Sequence, residues 1–164
     1  MMTEKESFIQ LEKSNVLKIR IKNSDGEDTG KYLEFDLEDI ELPLRLNECE
    51  EAHKRNVKYL RDQFLIIDKK EDHKGKKLLS WKEEEKLKVL QKVYKDEMDA
   101  LDLFIGKGKT QMILDLMGRK PYFTMYDDIG KLIEPILPQL KINVESIKDK
   151  IKAKYTSKEN DVLE

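Results

Sequence analysis

The chain has 164 residues, enough for one domain with a real core, and 40 % of them are charged against 38 % apolar. That balance suits helices with one buried stripe and one wet face, and argues against a parallel sheet covered on both sides. The formal net charge is -2 with both signs mixed along the chain, so there is no basic arm and nucleic acid is not expected as the main partner. The single cysteine, Cys49, leaves no intrachain disulfide to form. The opening MMTEKESFIQ lacks the apolar core of a signal peptide, and the longest apolar run, FLII at 64–67, is too short to cross a bilayer. The expectation is a soluble, cytoplasmic protein.

After a polar N-terminal segment at 1–15, VLKIRIK (16–22) and KYLEFDL (31–37) alternate apolar with charged residues, the period of a half-buried strand. NSDGEDTG between them is rich in residues that tolerate positive φ, so a β-hairpin over 16–37 is predicted. Two strands alone are marginal in water, and the face carrying Leu17, Ile19, Ile21, Leu33, Phe35 and Leu37 needs a cover.

Helices supply it. Asp39 as N-cap, Pro43 in the first turn, and Leu46, Cys49, His53, Val57, Leu60, Phe64 and Ile67 at steps of three and four predict a helix over 40–67. The polar stretch at 68–77 ends it. Ser80 with Glu83 forms a capping box, and Leu87, Leu90, Tyr94, Met98, Leu101 and Ile105 continue a second helix over 80–105, antiparallel to the first. A short helix follows at 109–117, closed by Gly118, then the aromatic connector RKPYFTMYDD. A final helical stretch at 125–155 should bend or split at Pro135 and Pro138, and a polar, frayed tail is expected over 156–164. The fold class is mainly α (α+β), with residues 16–155 as a single domain.

FIGKGKTQM (104–112) imitates the end of a phosphate-binding loop. With Gly108-Lys109-Thr110 as that end, the opening glycine falls on Leu103, and a helix precedes the stretch where the motif needs a buried strand. Gly106 and Gly108 are better read as a sharp joint between helices, Gly106 at the left-handed position where helices commonly end. Cys49 and His53 share a helix face near Glu48 and Glu51, but no second ligand pair completes a metal shell. Asp127 and Asp128 fit the first turn of a helix, and the lysines of IKDKIKAKYTSK (147–158) fit a solvated face. No nucleophile, base and orienting group stand at readable spacing, so no catalytic, cofactor or metal residue is assigned.

The order of parts carries more. A hairpin whose second strand reads KYLEFDLEDIEL, a long charged helical pair, then LDLFIGKGKTQMILDLMG and further helical segments resembles the small tail assembly chaperones of tailed bacteriophages and prophages, particularly those of Gram-positive hosts. The resemblance runs from about Lys18 to Tyr155, and Leu103, Phe104, Ile105, Gly106 and Gly108 carry its apolar helix end followed by Gly-x-Gly. It differs in the lysine-rich loop at 68–77, the two late prolines and the overall charge enrichment. It implies a non-enzymatic protein of the infected cell, absent from the finished virion. Such a protein keeps the tape measure protein soluble and gives way to tail tube protein; in many phages a longer, frameshifted product exists as well. Phe104, Ile105, Gly106 and Gly108, with Tyr122, Phe123 and Tyr126, are the expected partner-binding residues; surplus apolar stripes would be covered by self-association or by the client. No membrane contact is expected. The alternatives are a structural tail, connector or scaffold subunit and, further off, a small nucleotide-dependent regulator using Lys109 and Thr110.

Overall fold

The computed structural model describes Ser7, Ile9 and the backbone from residue 15 to 163, with side chains to residue 156. The chain opens with a two-stranded antiparallel hairpin, β1 (Val16–Lys22) and β2 (Asp28–Asp36), with Leu17 opposite Phe35 and Ile19 opposite Leu33. Asn23 makes the turn, its Oδ1 accepting from the N–H groups of Asp25 (3.0 Å) and Glu27 (2.9 Å), an Asx-turn in place of a backbone one. β2 starts earlier than its alternation suggests, because a bulge between Arg20 and Lys22 lets Asp28 to Gly30 join the ladder, with Thr29 Oγ1 donating to the Ile21 carbonyl at 2.7 Å. The alternation points Ile21, Leu33, Phe35 and Leu37 inward, all buried.

Helix α1 (Glu41–Asp68) begins one residue after its geometric cap, Ile40, which has no capping side chain. Asp39 serves from one position earlier: Oδ1 accepts from the Glu41 N–H at 2.9 Å, and Oδ2 accepts from Arg45 at 2.8 Å. Helix α2 (Trp81–Ile105) starts at Ser80, whose hydroxyl accepts from the Glu83 N–H at 3.2 Å, and Asp72 from the connector adds a second acceptor for Lys82 N–H at 2.9 Å. The two helices run antiparallel. His53 meets Glu97, Lys92 lies over the Tyr59 ring, Lys86 lies over Phe64 and pairs with Asp68, so partners climb α1 as they descend α2.

Helix α3 (Lys109–Met117) and helix α4 (Met125–Ile133) follow, then one 3₁₀ turn (Glu134–Ile136) and helix α5 (Leu137–Leu163). The prolines split the last stretch as their missing donors require, Pro135 inside the 3₁₀ turn and Pro138 in the first turn of α5. The α5 backbone is helical to Leu163, beyond the expected helix end at 155, since nothing after Pro138 breaks it.

The core is assembled at one end. Leu33, Phe35, Leu37, Leu42, Cys49, Leu101, Phe104, Ile113, Leu114, Met125, Ile129, Ile136 and Leu140 form one buried cluster to which no residue from 50 to 97 contributes. The far halves of α1 and α2 therefore stand away from it as an arm of about 18 Å, at 1.5 Å per residue from Val57 to Asp68. Among the described residues no helix is long and apolar enough to cross a membrane.

Burial predicts uneven sensitivity. Leu114→Ala, at a fully buried position, should lower unfolding free energy by about 2–5 kcal/mol. Leu78→Ala, in the connector and 90 % exposed, should change it by no more than about 0.5 kcal/mol, both read from urea midpoints at unchanged slope.

Candidate partner groove and the joint beneath it

The joint between α2 and α3 is built around Asp102. Its Oδ2 accepts from Gly108 N–H and its Oδ1 from Thr110 N–H, each at 3.0 Å, while its own carbonyl accepts from Gly106 N–H. One carboxylate thus satisfies donors at the start of α3 that would otherwise be orphaned, and it sits where that helix's dipole favours negative charge. A nucleotide phosphate would have to displace it. Gly106 departs from the sequence expectation: its backbone is at φ +115, ψ 150, outside the left-handed helical region, and Gly108 at φ +77 takes that conformation as the residue preceding α3. Thr110 is fully buried and its hydroxyl donates to the Met98 carbonyl, a fixed structural position.

The expected partner-binding residues separate into four groups. Phe104 and Ile105 are core residues, 3 % and 5 % exposed, with Phe104 stacked on Phe35 at 5.4 Å between ring centres. The apolar end of α2 covers the hairpin, which leaves little of either side chain at the surface. Gly106 and Gly108 supply backbone geometry. Tyr122 and Tyr126 are half-buried. Arg119 lies over the Tyr122 ring at 3.6 Å, and the Tyr122 hydroxyl is buried with no hydrogen-bond partner among the described residues; burial and the Asp128 carboxylate raise its pKa.

Tyr126 belongs to a polar knot that sequence reading missed. Glu97, only 7 % exposed, accepts from Asn56 at 2.7 Å and pairs with His53 Nδ1 at 2.6 Å. The His53 imidazole stacks flat on Tyr126, ring centres 3.6 Å apart, and the Tyr126 hydroxyl lies 3.8 Å from Cys49 Sγ. The knot ties α1, α2 and α4 together and engages the two residues, Cys49 and His53, that suggested a metal. Among the described residues no group of three or more His, Cys, Asp or Glu is placed to hold an ion. Burial is the main cause that pushes both the Cys49 thiol and the Tyr126 phenol upward in pKa.

Phe123 is the one apolar side chain among the expected residues left at the surface, 71 % exposed. It joins Val57, Leu60, Phe64 and Leu65 of α1 and Leu90 and Tyr94 of α2 around an open groove of 610 Å³ along the arm. Leu65 is 54 % exposed there, and Arg61 lies in the same lining with no ion pair among the described residues. The stripe of each arm helix was legible from its spacing. That the arm leaves the core, and so leaves the stripes half uncovered, depends on where the short helices pack.

No family model, curated protein or solved structure matches the chain.

Two measurements follow from the joint and the knot. Asp102→Ala should cost about 1 kcal/mol of stability, the usual size of a lost helix cap. For the knot, the unfolded chain ionises its thiol and phenol near 9.0 and 10.0 while the folded chain holds both protons longer. Stability is therefore full below those values and falls as pH rises through them, and Tyr126→Phe should flatten the fall in thermal melts taken across that window.

Proposed function

We propose that this chain is a non-catalytic tail assembly chaperone of a phage or prophage, which binds a helical segment of the tape measure protein, keeps it soluble, and yields it as tail tube subunits assemble. The arm groove is the observation that carries this reading. Two antiparallel helices with an uncovered apolar seam offer a third amphipathic helix the place it would take in a bundle. Phe123, a rigid aromatic standing in that seam, has the character of an anchor residue. Arg61 on the wall favours a client helix with acidic residues beside its apolar stripe. The order of hairpin, helical pair and glycine joint supports the same reading by resemblance. The use of the Gly108 and Thr110 amides by Asp102 argues against the nucleotide-dependent alternative.

Replacing Leu65 with Glu and Phe123 with Asp changes only exposed positions, so folding should be kept. Capture of tape measure segments by the doubly substituted chain should weaken by roughly tenfold or more, the scale expected when an interface anchor is lost. Unchanged capture would sink the proposed site. Mass spectrometry of purified particles separates the chaperone from a structural tail or connector subunit: the chaperone should be missing from them.

A further inference from the structure

A second groove lies at the α1 start and shares no lining residue with the arm groove. It is lined by Leu37, Ile40, Pro43 and Leu44 on one wall and by Leu140, Val144 and Ile147 of α5 on the other, with a volume of 400 Å³. The two walls are tied at one point, where Asn143 Nδ2 donates to the Leu37 carbonyl at 2.7 Å. Ile40 and Leu44 remain 67 % and 61 % exposed. The α5 stripe does not stop at the groove. Leu140, Val144, Ile147, Ile151 and Tyr155 recur at helical spacing, yet every residue from 148 to 156 is exposed, with Ile151 at 53 % and Tyr155 at 56 %. From Lys148 to Leu163 the helix projects for about 24 Å at 1.5 Å per residue.

Charge distinguishes what covers it. The α5 stretch IKDKIKAKY (147–155) holds four lysines against one aspartate, and the α1 stretch ELPLRLNECEE (41–51) holds four glutamates against one arginine. Arg45 is already engaged by Asp39 and Glu41. Helical spacing places Glu51 on the same α1 face as Leu44 and Asn47, with Glu48 at its edge, and places Lys150 and Lys152 on the two flanks of the Ile151 stripe. One chain therefore carries an apolar helix with basic flanks and an apolar groove whose α1 side is acidic: Asp39 lines it, Glu51 stands beside it paired with Lys54 at 3.8 Å, and Lys148 on the α5 wall is held by Glu145.

We propose that the occupant is a second copy of this chain: the projecting half of α5 from each copy lies in the groove at the α1 start of the other, giving a closed two-fold dimer. A surface that carries both halves of a complementary pair closes on itself when two copies exchange them, leaving no unpaired arm. The arrangement is independent of the client groove, which lies along the far halves of α1 and α2.

Sedimentation velocity of the full chain tests it. The wild-type chain should show a concentration-dependent shift from monomer to dimer, weakened by salt. Lys150→Glu with Lys152→Glu, and separately Glu48→Lys with Glu51→Lys, should each sediment as monomers with unchanged helical circular dichroism. Mixing the two variants in equal amounts should restore the dimer, because each arm then meets a rim of opposite sign at both contacts. Tyr155→Ala should weaken the wild-type dimer without altering its salt dependence. A wild-type chain that stays monomeric across the accessible concentration range would overturn the proposal and leave the groove to another protein or to the chain's own residues. So would variants that still pair alone, or a mixture that does not pair.

Discussion

A carboxylate taken out of water must be met by partners, and Glu97 meets His53 and Asn56 at the point where α1 and α2 leave the core. Most of what the helical pair buries is tolerant of sliding, since leucines and valines pack almost as well one turn along. The Glu97 contacts are not: a shift of one turn would strand a buried charge. The knot therefore fixes the register of the pair, and the stacked His53–Tyr126 rings carry that register on to α4. Its value lies in specificity more than in net stability, because desolvating such groups offsets much of what their contacts return. The position of Phe123 over the arm follows from it, three residues before the ring that stacks on His53.

A second carboxylate, Asp102, performs a related task by opposite means. It stays half-exposed and gathers the N–H groups that a tight turn leaves unsatisfied. Phosphate-binding loops use the same donors for a ligand, which is why the two resemble each other in sequence. What differs is one acidic side chain a turn upstream, already in the place of the anion. The N–H groups of Gly108 and Thr110 are thus already occupied within the chain.

Much of the architecture was legible. Period-two alternation identified both strands and their inward face, and period 3.6 identified the long pair, the Ser80 cap and the break at Pro135. Errors came where local pattern is silent about tertiary placement. The stripe from Leu87 to Ile105 looks uniform, yet Phe104 and Ile105 cover the hairpin while Leu90 and Tyr94 line an open seam. The pairing of Glu97 with His53 crosses 44 residues and has no local signature. The length of α5 was underestimated because a polar composition reads as a tail, although lysine, glutamate and alanine are good helix formers.

The antiparallel arm has one more property. Each of its helices carries a dipole along its axis, and side by side in opposite senses the two largely cancel. A third helix entering the seam is therefore offered almost no axial field, and its N-to-C direction costs the same either way as far as the backbone is concerned. Orientation is left to side chains: to Arg61 on one wall, and to Phe123 beside it.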